Sequence, residues 1–388
     1  MPNDNTQPTN NNINEISDWD DLNINRNLLR GIYAYGFEKP SNIQRKGIIP
    51  IIKKKDVLAQ AQSGTGKTGT FCIGALANID VNKDTQIIIL SPTRELTKQI
   101  YDVIKNLGSY IKNLSIKLLV GGNIIDNDID YLKNNKPNII VGCPGRVHDM
   151  IRRKYININN INMLILDEAD ELLSEGFREQ INSILQFLSK DVQLAFFTAT
   201  VPKQLEELIN DLQRQPVRIR IQQDMLSLEG IQQYYTFLEN DIEKYNKLKE
   251  IYGKISMSQT IIYCNSIKRV SDLYDAMVDD DFPVCRIHSN MEKKEREKSY
   301  NEFKNGNFRV LLSSNITSRG IDIQQVSTVI NFDIPKCVHN YLHRIGRSGR
   351  WGRKGIGINF ITRKDVKKMK EIESFYSTEI KELTNESF

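Results

Sequence analysis

Val57-Leu58-Ala59-Gln60-Ala61-Gln62-Ser63-Gly64-Thr65-Gly66-Lys67-Thr68 reads as a buried strand, a glycine-bearing turn and the start of a helix running to about Ala77. Gly64 and Gly66 free the backbone of the Ala61–Thr65 turn to point N–H groups at a phosphate, and the helix N-terminus adds a favourable field. Lys67 would neutralise the β- and γ-phosphates, and the Thr68 hydroxyl would ligate Mg²⁺. The strict form of the motif opens with glycine; here Ala61 stands in that place and Gly66-Lys67-Thr68 is intact. Downstream, Met163-Leu164-Ile165-Leu166 reads as a second buried strand, followed by Asp167-Glu168-Ala169-Asp170. A carboxylate at the carboxyl edge of a sheet suits nucleotide-bound Mg²⁺, and a neighbouring one can orient an attacking water. Asp167 is expected in the first role and Glu168 in the second. Either stretch alone is ordinary, but together they predict a nucleoside triphosphate site.

The 388 residues suffice for two domains, each with its own core. A hydrophobic content of 39% and a charged content of 26% are those of a globular chain. No apolar run approaches a membrane span, and Met1-Pro2-Asn3-Asp4 lacks the basic-then-apolar form of a signal sequence. The five cysteines (Cys72, Cys143, Cys264, Cys285 and Cys337) stand far apart and are expected to be buried thiols of a reducing, intracellular compartment. A net charge of +5 is compatible with a nucleic-acid partner. Residues 1–16 are rich in asparagine, carry little to bury, and are expected to be disordered.

From Val57 onward, strand-like and helix-like segments alternate. Strands are expected at 57–61, 86–91, 115–120, 138–143, 163–167, 193–198 and 217–221, with helices between them such as 95–106 and 177–188. A polar stretch, 222–232, is expected to be a linker. Alternation then resumes with strands at 233–238, 259–264, 284–287, 309–313, 327–331 and 356–360. The pattern predicts an α/β chain of two domains, 17–221 and 233–388, each a mainly parallel sheet with helices on both faces. Only the first carries a phosphate loop, so the second is expected to complete a site in the cleft between them. His343-Arg344-Ile345-Gly346-Arg347-Ser348-Gly349-Arg350 suits that task. Guanidinium groups bind phosphate in bidentate fashion and stabilise a transferring phosphoryl group, so Arg347 and Arg350 are expected to act as arginine fingers.

These motifs, in this order, resemble the DEAD-box ATP-dependent RNA helicases, and within them the translation initiation factor 4A type, over residues 17–383. The resemblance implies two tandem RecA-like domains that close on ATP and RNA. It makes residues 17–45 an adenine-reading segment, in which Gln44 bonds the base edge, Phe37 stacks on the ring, and Trp19 takes the place of an upstream stacking phenylalanine. Pro92, Thr93, Arg94, Gly121, Gly122, Pro144, Gly145 and Arg146 match RNA-backbone contacts of the first domain, with Cys143 where threonine is usual. Arg296, Ser314 and Thr317 match those of the second, and Asp322 would take the ribose hydroxyl. Asp170, Thr198, Thr200, His343 and Arg344 are expected to couple the domains, Thr198-Ala199-Thr200 standing where a motif links hydrolysis to unwinding. The implied ligands are ATP, Mg²⁺ and single-stranded or short duplex RNA read without regard to sequence. The chain is expected to be a cytoplasmic monomer directed by initiation-type protein partners. An ATP-gated RNA clamp that scaffolds other proteins would use the same residues, and a DNA helicase is a further, weaker alternative.

Overall fold

The computed structural model describes residues 15–61, 64–122, 124–174, 176–201, 203–221, 231–314, 326–348 and 355–384. They fall into two compact units, one of Glu15–Ala61 with Thr65–Ile221 and one from Ile231 onward. The first unit opens with a 3₁₀ turn at Trp19–Asp21, then α1 (Arg26–Ala34) and α2 (Asn42–Ile52). Strand and helix then alternate through β1 (Val57–Gln60), α3 (Lys67–Ala77), β2 (Ile87–Leu90), α4 (Arg94–Leu107), β3 (Ile116–Leu119), α5 (Ile125–Asn134), β4 (Ile139–Gly142) and α6 (Pro144–Arg152). The unit closes with β5 (Met163–Asp167), α7 (Ala169–Leu172), α8 (Arg178–Phe187), β6 (Gln193–Thr198), α9 (Lys203–Leu212) and β7 (Val217–Arg220).

The second unit begins with β8 (Ile231–Phe237), α10 (Asp241–Ile255), β9 (Gln259–Tyr263), α11 (Ile267–Asp279), β10 (Val284–Ile287), α12 (Lys293–Lys304) and β11 (Val310–Ser313). It ends with β12 (Val326–Asn331), α13 (Val338–Ile345), β13 (Gly355–Ile361), α14 (Val366–Tyr376) and the two-residue β14 (Lys381–Glu382). β14 was not expected, since two charged residues carry no strand signal of their own; it pairs with Tyr234 and Tyr235 of β8.

Both sheets are seven-stranded and every pairing is parallel. Their orders are β3-β4-β2-β5-β6-β1-β7 and β10-β11-β9-β12-β13-β8-β14. Adding seven to each strand of the first gives the second, so the units share one topology. β8 therefore stands where β1 stands, but Leu238-Glu239-Asn240 follows it in place of a glycine-rich turn.

The continuous apolar strands explain why helices cover both faces. Ile87 and Ile89 of β2 enter one core cluster, while Ile88 and Leu90 enter the other. β5 divides likewise, Met163 and Ile165 against Leu164 and Leu166. In the second unit Ile261 and Ile262 of β9 part in the same way. Each such buried side chain contributes roughly 1.5–3 kcal/mol. The helices meet them with apolar stripes: α4 buries Leu96, Ile100, Val103, Ile104 and Leu107, and Thr93 caps it by accepting from Leu96 N at 3.3 Å. Among the described residues no helix is long and apolar enough to cross a membrane. The five cysteines are free. Cys72, Cys264 and Cys285 are buried as expected, whereas Cys143 is half-buried and Cys337 is exposed, because both sit at strand-to-helix turns.

Candidate active site

In a parallel sheet all carboxyl ends lie along one edge, and the order β5-β6-β1 makes three motifs neighbours there. At the end of β1, Gly64 and Gly66 take φ of 83° and 102°, a region that costs other residues about 1–2 kcal/mol. Thr65, Gly66 and Thr68 are half-exposed and Ala61 is buried under them. Lys67, in contrast, is only 6% exposed. Its ammonium lies 3.9 Å from Glu168 Oε1 and has no hydrogen-bond acceptor among the described residues. A buried ammonium in that condition is costly, and the turn in front of it is shaped for an anion.

Asp167 ends β5, is buried, and accepts from Glu168 N at 3.0 Å. Burial pushes its carboxyl up to about 7, helped by the charges of Glu168 and Asp170 and opposed by Lys67. Glu168 holds φ 54° and ψ 52°, a left-handed conformation unusual for a glutamate, and so turns the chain from β5 into α7 with its carboxylate beside Lys67. Two residues on, Asp170 Oδ2 accepts from Thr200 Oγ1 at 2.7 Å. Thr198, at the end of β6, donates to Thr200 O at 2.8 Å, which folds Thr198-Ala199-Thr200 into a tight loop against α7.

The expected adenine segment packs on α3. Gln44 is 3% exposed; its Oε1 accepts from Ser41 N at 2.7 Å and its Nε2 donates to Gly66 O at 3.4 Å. Gly66 and Gly69 make room for it: a Cβ at Gly69 would sit 2.6 Å from Gln44 Nε2 and 3.1 Å from the Phe37 ring. Phe37 is half-buried, with Tyr35 edge-on to it at 4.9 Å. Trp19 requires a correction. Its ring is wholly enclosed in the core and stacks behind Phe37 at 6.0 Å, so it backs the Phe37 ring and has no face left for a base.

Further along the same sheet edge, Arg94 lies over Gly121-Gly122. A Cβ on Gly122, whose φ is 80°, would come within 2.5 Å of Arg94 Nη1. Gly145 is exposed at the start of α6, while Arg146 pairs with Asp128, which also holds Lys117 at 3.0 Å. Pro92 and Pro144 are buried and have no N–H to offer; they shape turns, Pro144 at the first position of α6. Cys143, in the usual place of threonine, pairs through sulfur with Thr97 Oγ1 at 3.3 Å.

In the second unit Arg296 is buried in the first turn of α12, and Ser314 is half-buried after β11. His343 and Arg347 are buried at and just beyond the end of α13. Arg344, expected to couple the domains, is instead a core residue of its own unit. It is fully enclosed and donates to Asn331 Oδ1 at 3.0 Å, Asp333 O at 2.8 Å and Asn265 Oδ1 at 2.8 Å, so the β9 and β12 ends consume its guanidinium. Gln62, Ser63, Thr317, Asp322 and Arg350 lie outside the described residues. Sequence reading missed Asn265, Asn331 and Asn359; lone asparagines within or just after apolar strands give no signal apart from their polarity.

The DEAD/DEAH box helicase family matches residues 41–208, and the helicase conserved C-terminal domain matches residues 243–352. An ATP-dependent RNA helicase eIF4A of Pyricularia oryzae is 46% identical over 369 residues, 95% of this chain and 93% of that one. This chain belongs to the DEAD-box RNA helicase family. Its two sheets are accordingly two tandem RecA-like helicase domains, and it is an ATP-hydrolysing enzyme. Among DEAD-box relatives, the ATP-dependent RNA helicase fal1 of Schizosaccharomyces pombe is also 46% identical, over 97% of this chain and 95% of that one. The solved structure of Saccharomyces cerevisiae Dbp5 bound to RNA and ADP BeF3 superposes with a TM-score of 0.87 at 31% identity, covering 95% of each chain.

Proposed function

We propose that this helicase hydrolyses ATP in an RNA-stimulated cycle that opens short duplexes or remodels RNA–protein complexes, acting in the cytoplasm at translation initiation. The observation that carries the site assignment is the Lys67 ammonium, buried, lacking a hydrogen-bond acceptor among the described residues, and set behind a glycine turn at a helix N-terminus. Phosphates entering the turn would meet the N–H groups of residues 64–67 and neutralise Lys67. Gln44 and Phe37 would face the base, and Asp322 the ribose.

The residues also fit Mg²⁺. Asp167 is a carboxylate whose ionisation is opposed by burial and by the charges of Glu168 and Asp170, so a cation beside it is favoured, and Thr68 offers a hard oxygen on the adjacent turn. Bound there, Mg²⁺ would spread the charge of the β- and γ-phosphate oxygens. Glu168 would hold a water and take its proton as the water attacks phosphorus. Arg347 and Arg350 would stabilise the charge developing on the phosphoryl oxygens, an effect of about a thousandfold or more. RNA phosphates would lie along Thr93, Arg94, Gly121, Gly122, Gly145 and Arg146, with Arg296, Ser314 and Thr317 serving from the second domain. Asp170, Thr198, Thr200 and His343 would relay nucleotide state to the RNA grip. The eIF4A name of its relatives supports initiation as the setting; in this reading the chain works as a monomer directed by a protein scaffold.

Steady-state ATPase measured with single-stranded RNA, with the same sequence as DNA, and without nucleic acid tests this reading. Stimulation by RNA alone, with separation of a short duplex, is expected. Equal stimulation by DNA would contradict it, and long-lived RNA complexes without strand separation would move the assignment to an ATP-gated clamp.

A further inference from the structure

Beneath α13, the helix that leads to Arg347, lies a row of buried polar side chains that none of the assigned roles uses. Arg344 Nη1 donates to Asn331 Oδ1 at 3.0 Å, and Asn331 Nδ2 donates to Asn359 Oδ1 at 2.8 Å. Asn359 Nδ2 donates to the Tyr341 hydroxyl at 3.2 Å, which donates in turn to Gln233 Oε1 at 2.8 Å. Gln233 Nε2 ends the row on Thr378 Oγ1 at 2.9 Å. Arg344, Asn331, Asn359 and Tyr341 are all 0% exposed.

The order of donors is forced. A guanidinium can only donate, so Asn331 must turn its oxygen to Arg344 and its amide to Asn359, and each later group follows suit. Asn331 and Asn359 are register partners on adjacent strands β12 and β13. Tyr341 and Arg344 are three residues apart and therefore share one face of α13. Helix, strand, strand and helix thus form a closed ring, Arg344–Asn331–Asn359–Tyr341, which fixes both the rotation of α13 and its position along the sheet. Leucines at the two asparagine positions would fill the space but allow rotation, since apolar contact has no direction. Just past the ring, Arg347 N donates to Arg344 O at 3.2 Å, so Arg347 leaves the helix from a residue the ring anchors.

We propose that Tyr341, Asn359 and Asn331 are positioning residues for hydrolysis, which act by fixing α13 so that Arg347 is delivered to the transferring phosphoryl group. The proposal rests on the arginine-finger reading of Arg347. Tyr341→Phe keeps the ring packing and removes the single hydroxyl that closes the circuit. It should lower the kcat of RNA-stimulated ATP hydrolysis about tenfold or more, as small misplacements of a reacting group do, with KM for ATP and for polyuridylate unchanged. Asn359→Leu, which fills the space but removes both ring bonds of that residue, should act in the same direction and carries the test if Tyr341→Phe does not fold.

Melting curves separate positioning from stability alone. A purely structural role would lower the midpoint yet leave kcat at wild-type level well below it, and that result overturns the proposal. In single turnover with radiolabelled ATP, Tyr341→Phe added to Arg347→Ala should slow the residual reaction no further. A further loss there would show that Tyr341 acts through some other group and would overturn the proposal while leaving the arginine in its role. Wild-type turnover by Arg347→Ala would instead remove the finger reading, and the proposal with it.

Discussion

Thr200 Oγ1 donates to Asp170 Oδ2 at 2.7 Å, so the loop after β6 is tied to the acidic motif after β5. A hydrogen bond to a carboxylate is worth about 1.5–3 kcal/mol, enough to make the two motifs move together. Thr200→Val should therefore leave RNA-stimulated ATPase within a few-fold of wild type and reduce duplex separation by about tenfold. Parallel assays on one preparation check this; equal losses in both would show that the bond serves hydrolysis itself.

Gly69 lies under Gln44 and Phe37, and a methyl group there would press on both, at 2.6 and 3.1 Å. Alanine is the better helix former by about 1 kcal/mol, but the buried clash costs about 1–3 kcal/mol, so Gly69→Ala should hold or lower the melting midpoint. ATP binding should weaken, and the preference for ATP over GTP should narrow because the base-facing groups shift. Fluorescent-nucleotide titration with both competitors reads the outcome.

The seat of Arg94 on Gly121-Gly122 makes a similar case for RNA. Gly122→Ala puts a side chain at φ 80° and within 2.5 Å of Arg94 Nη1. RNA affinity should fall roughly tenfold, equivalent to about 1.4 kcal/mol, with nucleotide affinity unchanged. Filter binding at fixed salt, with and without the substitution, is the measurement.

Asp167 supplies a prediction about protons. Its carboxyl is raised from the ordinary 3.8 to about 7, so near neutral pH the free protein holds part of a proton there. A carboxylate serving Mg²⁺ must be ionised, so uptake of Mg²⁺-ATP should release protons at pH 7, and release should vanish well above that value. Because the folded value is raised, the protonated group favours the fold at low pH, and that contribution is lost as pH rises through about 7. Calorimetry in two buffers of different ionisation enthalpy measures the release; Asp167→Asn should abolish it.

The parallel sheets and the elements that carry the candidate ATP site were legible because their signals are local. Ile87-Ile88-Ile89-Leu90 can only be a doubly covered strand, and Gly64, Gly66, Lys67 and Thr68 carry their chemistry in fixed spacing. What escaped depends on depth. Trp19 was expected at the base and Arg344 at the coupling between domains, on motif position, yet both are fully enclosed, one behind Phe37 and one over the ends of β9 and β12. No pattern distinguishes a tryptophan that touches a base from one that supports the residue that does. The asparagine pair under α13 was invisible for a related reason: its partners come from strands 28 residues apart and meet only through the sheet register.

Glu168 carries the chemical claim, since its carboxylate beside Lys67 is assigned the attacking water. Glu168→Gln keeps the shape and removes the base. With this variant, ATP and single-stranded RNA should bind together and stay bound while single-turnover hydrolysis falls by about two to four orders of magnitude, the range of general-base catalysis. Hydrolysis near the wild-type rate, or rapid release of RNA from the ATP-loaded variant, would contradict the assignment.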